Sequence, residues 1–138
     1  MRLNYNCCEF YRNRFDWKTL VRATVESVAY QSYDLFYSMK KDGLKPRIVK
    51  IDGGMVANNW FSQFLADVIN LKVIRPKVIE TTALGAALFA GYQVGEFKSL
   101  NQIKNTWKKD KAFKPKIKKK LRNHILHGWK QAIKKTLA

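Results

Sequence analysis

Gly53, Gly54 and Asn58 carry the residue types and spacing best suited to chemistry in this chain. They lie in the segment Arg47 to Asn59, RIVKIDGGMVANN. A β-branched run (Ile48, Val49, Ile51) stops at Asp52-Gly53-Gly54, and a helical pattern opens near Asn58. A strand, a tight Gly-Gly turn and a helix form a layout in which backbone can approach a bound nucleotide closely, because glycine puts no side chain in the way. The same residues also describe a plain structural turn with an N-capping asparagine. Taken by themselves they favour that second reading, since many α/β proteins turn this way.

The remaining candidates are weaker. Asp52 ends the strand, where ligands gather in α/β folds, and so reads as a metal ligand, a base or a structural group. Glu26 and Glu80 have no second carboxylate at a spacing that argues a site. His124 and His127 stand three apart on a helical pattern, yet no third ligand lies near, so they read as surface histidines and no metal site is expected. Cys7 and Cys8 are adjacent and are the only cysteines, which points to reduced thiols in a cytoplasmic protein. Trp60, Trp107 and Trp129 read as packing aromatics.

Composition bounds these readings. The chain has 138 residues, one domain at most, and 46% of them are hydrophobic, enough for a core. The formal net charge is +17, and the excess is concentrated at one end: from Lys98 onward there are 14 lysines and arginines against one acid, Asp110. That tail reads either as a contact for nucleic acid or another anionic surface, or as the solvated face of a lysine-rich protein, which is favoured. No apolar run approaches the roughly 20 residues of a membrane span, and no signal peptide is recognisable.

The elements that must position these residues follow from periodicity. Asp16 to about Lys41 reads as a long helix on Leu20, Ala23, Val28 and Leu35, ended by Gly43 and Pro46. Arg47 to Asp52 is a strand apolar enough to be central in a sheet. Asn58 to Asn70 is a helix, and Lys72 to Arg75 a second strand closed by Pro76. Thr81 or Thr82 caps a small-residue helix running to about Val94 and ended by Gly95. A linker-like stretch follows, and then an amphipathic helix from Leu121 to Leu137 with Leu121, Ile125, Trp129 and Ile133 along one face. Helix, strand, helix, strand, helix implies two parallel strands joined by a crossover. Two strands are too few for an independent α/β domain.

IDGGMVANN, ETTALGAALFAG and the terminal HGWKQAIKK, in this order and spacing, resemble the C-terminal part of the glycerol kinases in the FGGY family of carbohydrate kinases. Leu20, Ala23, Thr24, Val25 and Glu26 match the end of a family signature whose first half is absent. The resemblance begins near Asp16 and covers roughly 120 residues, whereas residues 1–14 match nothing recognised. It implies three parts: an unmatched segment at 1–15, a partial kinase domain at 16–97, and a basic linker and helix at 98–138. The fold it implies is an α/β, incomplete ribonuclease H/actin-like ATPase fold, with two parallel strands, flanking helices and a basic C-terminal helix.

The implied function is that of the C-terminal piece of an enzyme that moves the γ-phosphoryl of ATP to glycerol. Gly53, Gly54 and Asn58 would then contact the adenosine part of ATP or ADP. Catalytic residues, Mg²⁺ ligands and the glycerol site would lie upstream, and Asp52 keeps a structural role. An incomplete sheet would leave an edge for the missing portion or for self-association. Some bacterial members carry an acidic, threonine-containing segment before the last helix that docks a regulator; KPKIKKKLRN stands there in this chain, so that regulation is not expected.

Overall fold

The computed structural model describes residues 16–137. Helix α1 (Trp17–Lys41) leads into strand β1 (Ile48–Lys50). A single 3-10 turn (Gly54–Ala57) and helix α2 (Asn59–Ile69) follow, and then strand β2 (Lys72–Pro76). Helix α3 (Thr81–Gln93), helix α4 (Leu100–Thr106), strand β3 (Lys109–Phe113) and helix α5 (Lys119–Leu137) complete the order.

The parallel pair expected from the sequence is present: β1 and β2 align with Val49 opposite Val73. The sheet nevertheless has three strands in the order β1-β2-β3, and β3 runs antiparallel to β2 with Val73 opposite Phe113. The stretch expected to be a linker thus contains both α4 and β3. Its strand signal is hidden because only Ala112 and Phe113 of KDKAF are apolar; the rest faces solvent on an edge, where charged residues are normal. Strand β1, expected to be central, pairs on one side only among the described residues.

The core lies between α1, α2 and the sheet. Ala29, Val56, Phe61, Leu65, Ala66, Ile69, Val73 and Phe113 are buried together. Helix α2 supplies four of the eight, Phe61, Leu65, Ala66 and Ile69, which fits a helix covering a sheet face. On α1 the buried face is carried by Ala29 with Val25, Val28, Tyr33 and Phe36, while Leu20 and Leu35 are exposed. On α5 Leu126 is buried and Ile125, Trp129 and Ile133 of the expected stripe are half-buried, while Leu121 at its start is exposed.

Polar ties hold the basic segment. Buried Asp67 on α2 accepts hydrogen bonds from the backbone N–H groups of Lys116 and Ile117, and the Gln63 amide donates to Lys114 O at 2.8 Å. Buried acceptors need partners, and here the partners fix the approach to α5. Helix α3, apolar along most of its length, has no buried residue, and neither has the short α4.

Candidate nucleotide-facing turn

The site is built where β1 gives way to α2. Ile51 N–H donates to Ile74 O at 3.1 Å, which extends the parallel pairing one step beyond the strand. Gly53 then takes φ 89° and ψ 167°, a region open in practice to glycine alone. This reverses the chain, and Gly53 N–H donates to Ile79 O at 2.8 Å. Asp52 accepts a hydrogen bond from the Thr81 hydroxyl. Thr81 is therefore not the N-cap of α3; Glu80 holds that position without a side-chain hydrogen bond. The hydroxyl expected to cap α3 instead ties the helix start to the end of β1.

Gly54 differs from its neighbour. It opens the 3-10 turn without a positive φ, and a Cβ built there meets nothing within 4 Å. Neither the backbone conformation nor the packing of the described residues asks for glycine at this position. Asn58 is exposed and is the N-cap of α2, its Oδ1 accepting from Trp60 N–H at 2.9 Å and Phe61 N–H at 3.4 Å. The cap that the structural-turn reading describes is thus formed. It occupies the oxygen, and the amide N–H₂, a two-proton donor, has no hydrogen-bond partner among the described residues. Gly53, Gly54 and Asn58 stand on one turn at the carboxyl end of β1.

Beside Asn58 lies an open groove of about 370 Å³ between the N-terminal ends of α1 and α2. Trp17, Val21, Arg22 and Trp60 line it with Asn58. Trp60 is stacked on Phe64 with centroids 5.1 Å apart, and the Arg22 guanidinium lies 5.7 Å from a Trp60 ring centroid.

Arg75 was not singled out by sequence reasoning. Its Nη1 donates to Val56 O at 2.8 Å and Ala57 O at 3.1 Å, the two carbonyls just before Asn58. Nothing in the local sequence signals this, because both acceptors are backbone atoms brought near by the fold.

The other candidates stay apart from this turn. Glu26 pairs with Arg22 at 2.7 Å and accepts from the Tyr30 hydroxyl at 3.2 Å. Burial and the Glu26 charge push the Tyr30 hydroxyl up to about 12. His127 contacts Gln131 on the same helix. Among the described residues no three His, Cys, Asp or Glu side chains come together as a metal site. Lys50 Nζ sits 4.1 Å from the centroid of a Trp107 ring, and Trp129 stacks on Tyr30 at 5.3 Å, so both tryptophans pack within the chain. Cys7 and Cys8 lie outside the described residues. No helix is long and apolar enough to cross a membrane among those residues.

The fold has counterparts among known proteins. Residues 11–94 match the C-terminal domain of the FGGY family of carbohydrate kinases, and the chain belongs to that family. Over 119 residues, 86% of the chain, it is 49% identical to a glycerol kinase of Gluconobacter oxydans and 44% identical to one of Alkaliphilus metalliredigens. It spans about a quarter of the length of these relatives, 23% and 24%. Among solved structures it is similar to the Plasmodium falciparum glycerol kinase with ADP, with a TM-score of 0.74 and 34% identity over 91% of this chain and 25% of that one. A xylulose kinase of Lactobacillus acidophilus shares the fold at a TM-score of 0.67 and 23% identity, covering 86% of this chain and 24% of that one. The three-stranded sheet with its flanking helices is part of an actin-like ATPase fold, as expected.

Proposed function

We propose that this chain supplies the adenosine-facing part of the nucleotide cleft of an ATP-dependent glycerol kinase. Gly54 carries the reading. It is a glycine that the chain's own conformation and packing do not require, on an exposed turn at the carboxyl end of a parallel strand. An approaching base and ribose would require the absence of a side chain there. Gly53 provides the reversal that presents Gly54, and the amide N–H₂ of Asn58 donates to the ligand. The similarity to a glycerol kinase solved with ADP supports the same assignment.

The phosphoryl transfer itself belongs to the whole enzyme. Its base, its Mg²⁺ ligands and its glycerol pocket have no counterpart in the motifs of these 138 residues. The chain by itself therefore binds adenine nucleotide without turning it over, and glycerol is a substrate only of the complete enzyme. The setting is cytoplasmic, where ATP is available.

The lysine-rich tail gives a second reading, a polyanion-binding surface. Titration with ADP at low and high salt separates the two. Docking in the turn is expected to change little with salt, whereas lysine-driven binding weakens steeply. Binding that vanishes at high salt, or glycerol-dependent ATP consumption that tracks the purified chain, would defeat the proposal.

A further inference from the structure

The turn that holds Gly54 and Asn58 is short, and its own residues do not account for its orientation. A 3-10 turn leaves its last carbonyls without partners inside the turn. Here those of Val56 and Ala57 accept from one guanidinium, Arg75 Nη1, and Val56 O also accepts from the Ser62 hydroxyl at 3.1 Å. The opposite side of the guanidinium is held as firmly: Nε and Nη2 donate to Asp110 Oδ2 at 2.8 and 2.6 Å.

Asp110 can reach Arg75 because of an irregularity in the sheet. Arg75 pairs with Lys111 and Pro76 with Lys109, which leaves Asp110 as an extra residue between them. Such a bulge re-aims a side chain, and it turns the one acid of the basic tail toward β2. The Arg75 side chain is only 12% exposed, so its charge is committed to these partners. The result is a brace from β3 through β2 to the backbone just ahead of Asn58.

We propose that Arg75 is a positioning residue for nucleotide binding, with Asp110 holding its guanidinium so that the Val56 and Ala57 carbonyls fix the turn carrying Gly54 and Asn58. This rests on the nucleotide reading above. The guanidinium makes four donations from three nitrogens held in one plane, whereas an ammonium has three donors on a single nitrogen and lacks that fork. Arg75→Lys is therefore expected to keep the fold and lose part of the positioning, and Arg75→Gln to lose more.

The test uses ADP as the ligand and ¹⁵N-labelled protein. Without ligand, the Gly54 backbone amide and the Asn58 side-chain amide resonances are expected to move in Arg75→Lys and Arg75→Gln, while those of α5 stay. With ligand, Arg75→Gln is expected to weaken ADP binding about tenfold. The losses from Arg75→Gln and Asn58→Ala should fall short of adding in the double variant, because one residue acts through the other. Simple destabilisation would give additive losses and overturn the role. If Arg75→Gln unfolds the chain, Arg75→Lys carries the same comparison. Wild-type protein that binds no ADP defeats the nucleotide reading. Unmoved resonances together with wild-type affinity in the variants defeat the role of Arg75 and leave that reading standing.

Discussion

The indole Nε1–H of Trp129 donates to Asp34 Oδ2 at 2.7 Å, joining residues 95 positions apart in the chain. The same indole stacks on Tyr30. These two contacts attach the basic C-terminal helix to α1, the helix that also covers the core beside the Gly53-Gly54 turn. Trp129→Phe keeps the ring and loses the donor to Asp34. It is expected to cost about 1 kcal/mol, and Trp129→Ala about 3 kcal/mol through lost packing as well. Urea unfolding measures both, and equal stabilities for the two variants would contradict the stated roles.

Adjacent glycines are expected to respond differently. Gly53→Ala forces a side chain into φ 89° and should cost about 1–3 kcal/mol. Gly54→Ala meets no atom and no strained φ, so its stability should stay within about 1 kcal/mol of wild type. Thermal melts of the two variants side by side test this contrast.

Alkaline pH should weaken the fold through Tyr30. Its hydroxyl is raised from 10.0 to about 12, first by burial and then by Glu26. A group whose folded pKa is raised gives stability that is complete below the unfolded value and is lost as pH rises through the folded one. The loss therefore falls between about pH 10 and 12, where the unfolded chain ionises first. Tyr30→Phe should show a shallower decline across that window than wild type. Superimposable pH–stability curves would refute the link.

Self-association should grow with salt. Helix α3 is apolar and has no buried residue, and β1 has one partner strand among the described residues. Positive charge opposes association at low salt, and salt screens it beyond about 10 Å at 0.1 M. Sedimentation at rising salt should show heavier species and a broad melt, and adding the N-terminal portion of a similar glycerol kinase should sharpen that melt. A salt-insensitive monomer with one cooperative transition would contradict this.

The segment from β1 to α2 was legible in the sequence because a β-branched run, two glycines and a capping asparagine act locally. Helix α3 was legible for its small residues, but its lack of burial was not, because packing depends on what stands opposite. Strand β3 was missed because lysines on an edge strand mask its period. The exposed Leu20 and Leu35 show the same limit on α1: periodicity finds a helix more readily than the face it buries. Arg75 was invisible for a further reason. Its partners, two backbone carbonyls and a bulged aspartate, are assembled only by the fold.

The central assignment is tested most directly by calorimetric titration of ADP into wild type, Gly54→Val and Lys119→Ala. Wild type and Lys119→Ala are expected to bind alike, since Lys119 opens α5 and is not among the residues lining the groove beside the turn. Gly54→Val is expected to lose binding while remaining folded, because the new side chain has open space in the protein and blocks only the ligand. Equal affinity for ADP in wild type and Gly54→Val would contradict the placement of the nucleotide at this turn.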